Sequence, residues 1–150
     1  MKGAWSALRD RRGIVALEFA LIAGMLVMVM LAVWDIGNAA QQTIRLHEAL
    51  HAAGQYALSF PTDQTGIRRA VTNALPSGWT NVTVSGPAYS CTCWSSSGSS
   101  ADPSGTAPAC SCPDGLTVEE FLQIGASRPL APLLIQTLSA ASASYVVRFQ

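Results

Sequence analysis

The stretch that decides the fold is residues 11–34, which read RRGIVALEFALIAGMLVMVMLAVW. From Ile14 to Trp34 the chain runs for 21 residues with one charged side chain, Glu18. At about 1.5 Å of rise per residue, a helix of this length spans about 30 Å, the thickness of one hydrocarbon core. The sequence therefore predicts a transmembrane helix over residues 14–34 that carries a carboxylate near its start.

The charges of the chain are divided unevenly by this segment. Residues 1–13 carry four basic groups against one acidic group, a net charge of +3, whereas residues 14–150 carry five basic against eight acidic groups, a net charge of −3. Because basic flanks stay preferentially in the cytoplasm, we expect a cytoplasmic leader over 1–13 and an exported region over 35–150. The formal net charge of zero gives no basic footprint for nucleic acid.

A cleaved secretory signal is the alternative interpretation of the same segment. The apolar region of such a signal normally has about 7–15 residues and is not interrupted by glutamate. The segment here is longer and contains Glu18, although Gly37-Asn38-Ala39 would pass for a small-residue cleavage site. Both interpretations place most of the chain outside the cytoplasm.

The helical pattern continues beyond the predicted span. Apolar or small residues recur in steps of four and three, which marks one stripe along a helix: Ala39, Thr43, Leu46, Leu50, Ala53 and Ala57. Pro61 follows the stripe, so we expect one helix from about Ile14 to about Leu58, with residues 35–60 as its extracytoplasmic continuation. Asp35 and Asn38, just past the span, are interpreted as polar residues at the water interface.

Residues 61–150 are predicted to form a small α+β domain. A second helix fits Thr62 to Leu75, with Thr62 or Asp63 as its N-cap. Alternating residues predict a strand at 82–85 and a terminal strand at 141–149, with 135–138 as a possible further strand. Residues 95–109 have no apolar period and read as a flexible loop. We therefore predict an α+β layout, a long helix laid on a small antiparallel sheet.

The four cysteines form two pairs with one residue between the partners. In an exported chain, disulfides are the default state of such cysteines. If residues 91–93 and 110–112 pair as antiparallel strands, Cys91 faces Cys112 and Cys93 faces Cys110. This connectivity, which would staple the loop, needs the least distortion of the three possible ones. A four-cysteine zinc site and free thiols remain as weaker alternatives.

One motif resembles a catalytic metal site. His47-Glu48-Ala49-Leu50-His51 fits H-E-x-x-H, the pattern that binds zinc on a helix in metalloproteases. The chain has no third histidine, so a carboxylate such as Glu119 or Glu120 would have to complete the ligand set. The motif also lies close to the membrane, on the flank of a helix. His47 and His51 are therefore weak metal candidates, and we expect no cofactor and no enzymatic activity.

The membrane segment is the more informative motif. A basic leader, then Gly13, then an apolar helix with Glu18 at its fifth position, is typical of a prepilin. The run from Gly13 to Phe19, continued by Ala20-Leu21-Ile22, resembles the TadE-like pilus-assembly proteins, which are pseudopilins of the tight-adherence (Tad, Flp-type) type IV pilus system. The resemblance extends through residues 35–38 to the alanine-rich stretch that ends at Ala57. The last strand, from Leu138 to Arg148, also resembles that of the family.

This resemblance implies a function and a set of partners. A prepilin peptidase would cut between Gly13 and Ile14, and Glu18 with Phe19 would take part in subunit assembly. The chain would then be a minor pilin or pseudopilin in the bacterial inner membrane, with its C-terminal domain in the periplasm or carried into the pilus. Its partners would be the peptidase, other pilin subunits, the inner-membrane assembly platform and lipid. An uncleaved bitopic protein with a periplasmic ligand- or partner-binding domain is the alternative, and a zinc hydrolase is a distant third.

Overall fold

The computed structural model describes residues 11–95, 100–101, 110–113 and 116–148. The elements are two helices and four strands, in the order α1 Arg11–Ser59, α2 Gln64–Ala74, β1 Thr83–Trp94, β2 Ser100–Ala101, β3 Thr117–Pro129 and β4 Ala140–Arg148. The predicted α+β class, with a long N-terminal helix and a small antiparallel sheet, is confirmed. Residues 1–10 of the predicted leader and most of the predicted loop over 95–109 lie outside the described residues.

Helix α1 runs without a break through the predicted span and into the α+β domain that follows it, which we call the outer domain. It has 49 residues and is therefore about 74 Å long. We call residues 35–59 the outer half of α1. The buried apolar side chains of this half follow the predicted stripe: Leu46, Ala49, Leu50, Ala53 and Ala57. The more membrane-proximal stripe residues, Ala39 and Thr43, are half-buried. The outer half of α1 thus supplies one wall of the hydrophobic core.

The sheet supplies the opposite wall of that core. Its strand order is β2-β1-β3-β4, and every neighbouring pair is antiparallel. Helix α1 packs mainly against β4 and α2, and the sheet contributes buried side chains such as Leu122, Ile124 and Val147. Gly54 of α1 faces Tyr145 so closely that a Cβ atom there would overlap the tyrosine ring. The absence of a side chain at this position therefore lets the helix approach the strand.

Helix α2 begins at the predicted acidic cap. The Oδ1 atom of Asp63 accepts a hydrogen bond from the backbone N–H of Gly66 at 2.9 Å, and its Oδ2 atom accepts one from the Tyr56 hydroxyl at 2.8 Å. Both contacts favour the carboxylate form, and the pKa of Asp63 is lowered, first by the Gly66 amide and then by Tyr56. Ile67 and Val71 are buried and attach α2 to the core.

Three features of the sheet and its connections differ from the sequence prediction. Strand β1 continues to Trp94 instead of ending near residue 85, because a register shift between Ser85 and Ala88 forms a bulge after which pairing with β3 resumes. Residues 135–138, considered as a possible strand, form a turn in which the N–H of Leu138 donates to the Ile135 carbonyl at 3.0 Å. Strand β3 had not been predicted.

The predicted disulfide connectivity was wrong. The bonds join Cys91 to Cys110 and Cys93 to Cys112. The prediction assumed that the two cysteine segments are antiparallel neighbours. Instead, β1 pairs with β3 on one side and with the short strand β2 on the other. Both bonds have a sequence separation of 19, so the two cysteine segments run in the same direction.

Candidate functional site

The membrane half of α1 presents its side chains outward. Among the described residues, this helix is the one that is long and apolar enough to cross a membrane, and its most apolar window is not buried by the rest of the protein. Large apolar side chains are exposed around its circumference, including Leu21, Met25 and Met30. A helix that is apolar on all sides and uncovered by protein fits a single-pass membrane anchor.

The predicted cleavage and assembly residues lie at the start of this segment. Gly13 and Ile14 are in the first turns of α1. Glu18 and Phe19 are exposed on the helix surface, and neither ion pair between described residues involves Glu18. Because Glu18 follows Ile14 by four residues, the two lie one turn apart on the same face of the helix. An amine created at Ile14 would therefore be next to this carboxylate.

Asp35 is the most constrained polar side chain of the junction between span and domain. It is 5% exposed. Its Oδ1 atom accepts a hydrogen bond from the N–H of Leu133 at 2.9 Å, and its Oδ2 atom accepts two more, from Leu134 at 2.7 Å and Ile135 at 3.0 Å. We call this arrangement the Asp35 clasp. It fixes the β3–β4 connection to the helix where the helix leaves the predicted span.

The clasp explains how a carboxylate is accommodated at a buried position. Three successive N–H groups that converge on an anion form a concave site of positive partial charge. The amides of Leu133, Ile135 and Leu134, in that order of effect, hold the pKa of Asp35 below its ordinary value, against the opposing effect of burial. The side chain is therefore a charged anchor at neutral pH.

The interpretation of Asp35 as an interfacial polar residue missed this role. One signal was available, because Asp35 precedes Ala39 by four residues and so extends the buried stripe by one turn. A charge on the apolar stripe of a helix needs a partner, since burying an unpaired charge is costly. The identity of the partner, 98 to 100 residues further along the chain, was not readable from that pattern.

A second contact holds the same end of the domain. The Nη1 atom of Arg128, in β3, donates to Oε1 of Gln42, in α1, at 2.9 Å. The guanidinium group also lies over the ring of Trp79, 4.2 Å from the ring centre. Arg128 thus connects the sheet, helix α1 and the segment between α2 and β1 on the membrane-proximal side.

The two histidines and the glutamate of the H-E-x-x-H motif, His47, Glu48 and His51, are exposed on the outer half of α1. Glu48 pairs with Arg45 at 3.1 Å, and the ring of His51 meets that of Tyr145 edge-on, with centroids 5.5 Å apart. Among the described residues, the structure does not bring His47 and His51 together with a third ligand. The one cluster with ligand geometry there is Cys91, Cys110 and Glu120, in which the two sulfurs are bonded to each other.

The comparison with known proteins gives one match. No curated protein and no solved structure matches the chain. Residues 13–55 match the model of a family described as TadE-like protein. The match begins at the predicted cleavage residue and covers the span, Glu18 and Asp35. The resemblance to the TadE-like family that we inferred from the sequence is therefore confirmed for residues 13–55.

Proposed function

We propose that this chain is a minor pilin or pseudopilin of a Tad-type pilus and not an enzyme. The observation that carries the proposal is the family match over residues 13–55, which indicates a protein associated with the Tad pilus. The length beyond this region supports a minor role, because the family resemblance implies a very short major pilin, whereas this chain has the further elements α2, β1, β3 and β4.

The first proposed step is hydrolysis of the Gly13–Ile14 peptide bond by a membrane prepilin peptidase. The reaction consumes one water, releases residues 1–13 with a new carboxylate at Gly13, and leaves an α-amine on Ile14. Gly13 suits this step because it lacks a Cβ atom and lets a protease approach the backbone closely. The peptidase supplies the catalytic groups, and this chain supplies the substrate.

The second proposed step is pairing of the new amine with Glu18. An α-amine has an ordinary pKa near 7.7–8.0 and is largely protonated at neutral pH. A carboxylate at the centre of a membrane helix costs roughly 2.5–3.5 kcal/mol on insertion scales, and less near an end. Pairing with the Ile14 amine of a neighbouring subunit would offset that cost. It would also set the axial register between adjacent helices, with Phe19 beside the contact.

The proposal places the chain in the bacterial inner membrane before assembly. The leader would face the cytoplasm and the α+β domain the periplasm, as the charge distribution favours. The partners would be the prepilin peptidase, the other pilin subunits and the inner-membrane assembly platform. The exposed apolar surface of residues 15–34 would exchange lipid for neighbouring helices during assembly.

N-terminal sequencing of the membrane-extracted protein tests the cleavage step. We expect the mature chain to begin at Ile14, and we expect Gly13→Leu to leave the leader attached. Gly24→Leu is the matched control, since a Cβ atom added at Gly24 would have no neighbouring group within 4 Å. An intact Met1 in the wild-type protein, in cells that contain the peptidase, would instead support the uncleaved bitopic alternative.

Counting pili on cells that carry Glu18→Gln tests the pairing step. The variant removes the charge and nearly preserves the shape, so we expect normal cleavage, normal membrane insertion and a marked loss of pili. Glu48→Gln, on the exposed outer half of the same helix, is the control and should leave the pilus count unchanged. Unaltered piliation in Glu18→Gln would refute the pairing.

A further inference from the structure

The connection between β3 and β4 is apolar although it lies on the surface. Residues 130–138 read LAPLLIQTL and contain no charged side chain. Leu133 is 67% exposed and the adjacent Leu134 is 40% exposed. Single exposed apolar residues are common on proteins, but a contiguous exposed apolar patch is typical of an interaction surface. Two neighbouring exposed leucines in an uncharged loop therefore call for a partner surface.

The Asp35 clasp determines where this loop lies. The Asp35 carboxylate reaches only a few ångströms from the helix backbone, and it holds the amides of residues 133–135 at 2.7–3.0 Å. Asp35 directly follows Trp34, the last residue of the predicted span. The backbone of the two leucines is therefore held beside the helix at the level where the helix leaves the hydrocarbon core. The loop ends are also joined, by a 2.9 Å hydrogen bond from Leu130 N to Ser139 O.

The helix itself exposes apolar side chains at this level. Trp34 is 67% exposed, and Val33 and Ile36 are exposed as well. Tryptophan is enriched where membrane helices cross the interface between lipid and water. The leucines of the loop thus continue, at the same depth, an apolar surface that is expected to be covered by lipid.

We propose that residues 130–138 form a bilayer-docking loop, in which Leu133 and Leu134 enter the interfacial layer on the periplasmic face of the inner membrane. The occupant is phospholipid, because a span that ends at Trp34 surrounds this depth with lipid and because the loop has no charge for a polar protein partner. The inference rests on the proposed membrane location. It adds a second point of membrane contact, which fixes the tilt of the outer domain on the bilayer before assembly.

Photolabelling of the full-length protein in vesicles tests this proposal. The vesicles contain phosphatidylethanolamine and phosphatidylglycerol with a trace of phospholipid that carries a diazirine close to the glycerol backbone. Mass spectrometry then locates the label. We expect residues 133–134 to be labelled about as strongly as residues 33–36. Leu58 is the internal control, since it is 52% exposed but lies 24 residues beyond Trp34, about 36 Å along the helix.

The outcomes separate this inference from the membrane location on which it rests. Label in the span but only a Leu58-like background in the loop would overturn the docking loop and leave the anchor intact. Background labelling in both would overturn the anchor, and the proposed membrane function with it.

A variant gives an independent readout. Leu133→Ser combined with Leu134→Ser keeps the backbone amides of the Asp35 clasp and removes the apolar side chains. We expect label in residues 130–138 to fall to the Leu58 background while label in residues 15–34 is unchanged. Disulfide mapping and circular dichroism establish that the variant is folded. Unchanged labelling of the loop in this folded variant would show that the leucines do not dock.

Discussion

The two halves of α1 share one helical backbone but present different surfaces. Residues 15–34 expose apolar side chains all round, whereas residues 35–59 bury one stripe against the sheet and α2 and leave polar side chains outside. The difference teaches how one uninterrupted helix can belong to a membrane and to a folded domain. An all-round apolar surface needs lipid or other apolar helices to cover it, whereas a one-sided stripe needs a single partner surface.

We expect the largest loss in the free energy of unfolding when a buried leucine in the outer half of α1 is truncated. Leu46→Ala or Leu50→Ala removes a fully buried side chain and should lower the free energy of unfolding of the domain by about 2–5 kcal/mol. Leu21→Ala, in the lipid-facing half, should leave that free energy nearly unchanged. Urea-dependent pulse proteolysis of the detergent-solubilised protein measures both. If Leu21→Ala lowered the free energy of unfolding as much as Leu46→Ala or Leu50→Ala, the conclusion that only the outer half of α1 contributes to the core would be wrong.

Removal of a disulfide should cause the next largest loss in the free energy of unfolding. This loss should concern the outer domain and not the predicted span. Cys93 and Cys112 have a sequence separation of 19, so loss of their bond in the double variant Cys93→Ser, Cys112→Ser should lower the free energy of unfolding by about 3 kcal/mol. The helicity of the span should not change. Peptide mapping of the wild-type protein without reductant should recover Cys91 linked to Cys110, and recovery of Cys91 linked to Cys112 would contradict the connectivity.

The Asp35 clasp predicts a smaller, pH-dependent effect at the junction. Because the folded-state pKa of Asp35 lies below the ordinary value of 3.8, the unfolded state binds more protons. The contribution of Asp35 to stability is therefore present above that ordinary value and is lost as the pH falls through the folded-state pKa. Asp35→Asn should weaken this loss below pH 4 in thermal melts and speed amide exchange at residues 133–135.

Asp63→Asn is the matched control for the junction. The pKa of Asp63 is also lowered, so this variant should change the same acid range of the melting profile. Its effect on amide exchange should lie at Gly66, in the first turn of α2, and not at residues 133–135. Faster exchange of the β3–β4 connection in both variants would show that the clasp is not specific to Asp35.

We expect the smallest change in the free energy of unfolding for substitutions of exposed polar residues in the outer half of α1. The Arg45–Glu48 pair is exposed on the helix surface at 3.1 Å, and Glu48→Ala should change the free energy of unfolding by about 0.5 kcal/mol or less. Metal analysis tests the H-E-x-x-H motif, in which Glu48 would be the general base. If the wild-type protein bound one zinc tightly and His47→Ala lost it, the motif would be a metal site and not a set of solvent-exposed polar side chains.

The sequence predicted those parts of the fold that repeat along the chain. The 3.6-residue stripe gave α1 nearly to its ends, and Asp63 was one of two predicted caps for α2. Strand β3 was missed because its buried alternate positions include Glu120 as well as Leu122, while Phe121 lies between them. An acidic residue on the inner face and an aromatic residue on the other face hide the period of two.

The candidate site was predictable only where a residue departs from its local surroundings. Glu18 is conspicuous as the one charge in an apolar run, and so the sequence singles it out as a candidate whose role in assembly stays a prediction. The partner amides of Asp35 lie in a loop about 100 residues away, and no local pattern encodes that contact. The disulfide pairing depended on the relative direction of two segments, which cysteine spacing does not specify.

The unbroken course of α1 has a mechanical consequence. Among residues 13–60 there is no proline to act as a hinge, and the sheet is fixed to the outer half by the core and by the Asp35 clasp. A torque applied to the sheet is therefore transmitted along the helix to the lipid-embedded end. Extraction from the membrane and rotation of the domain would be one rigid movement, so the angular position of the sheet reports that of the helix below it.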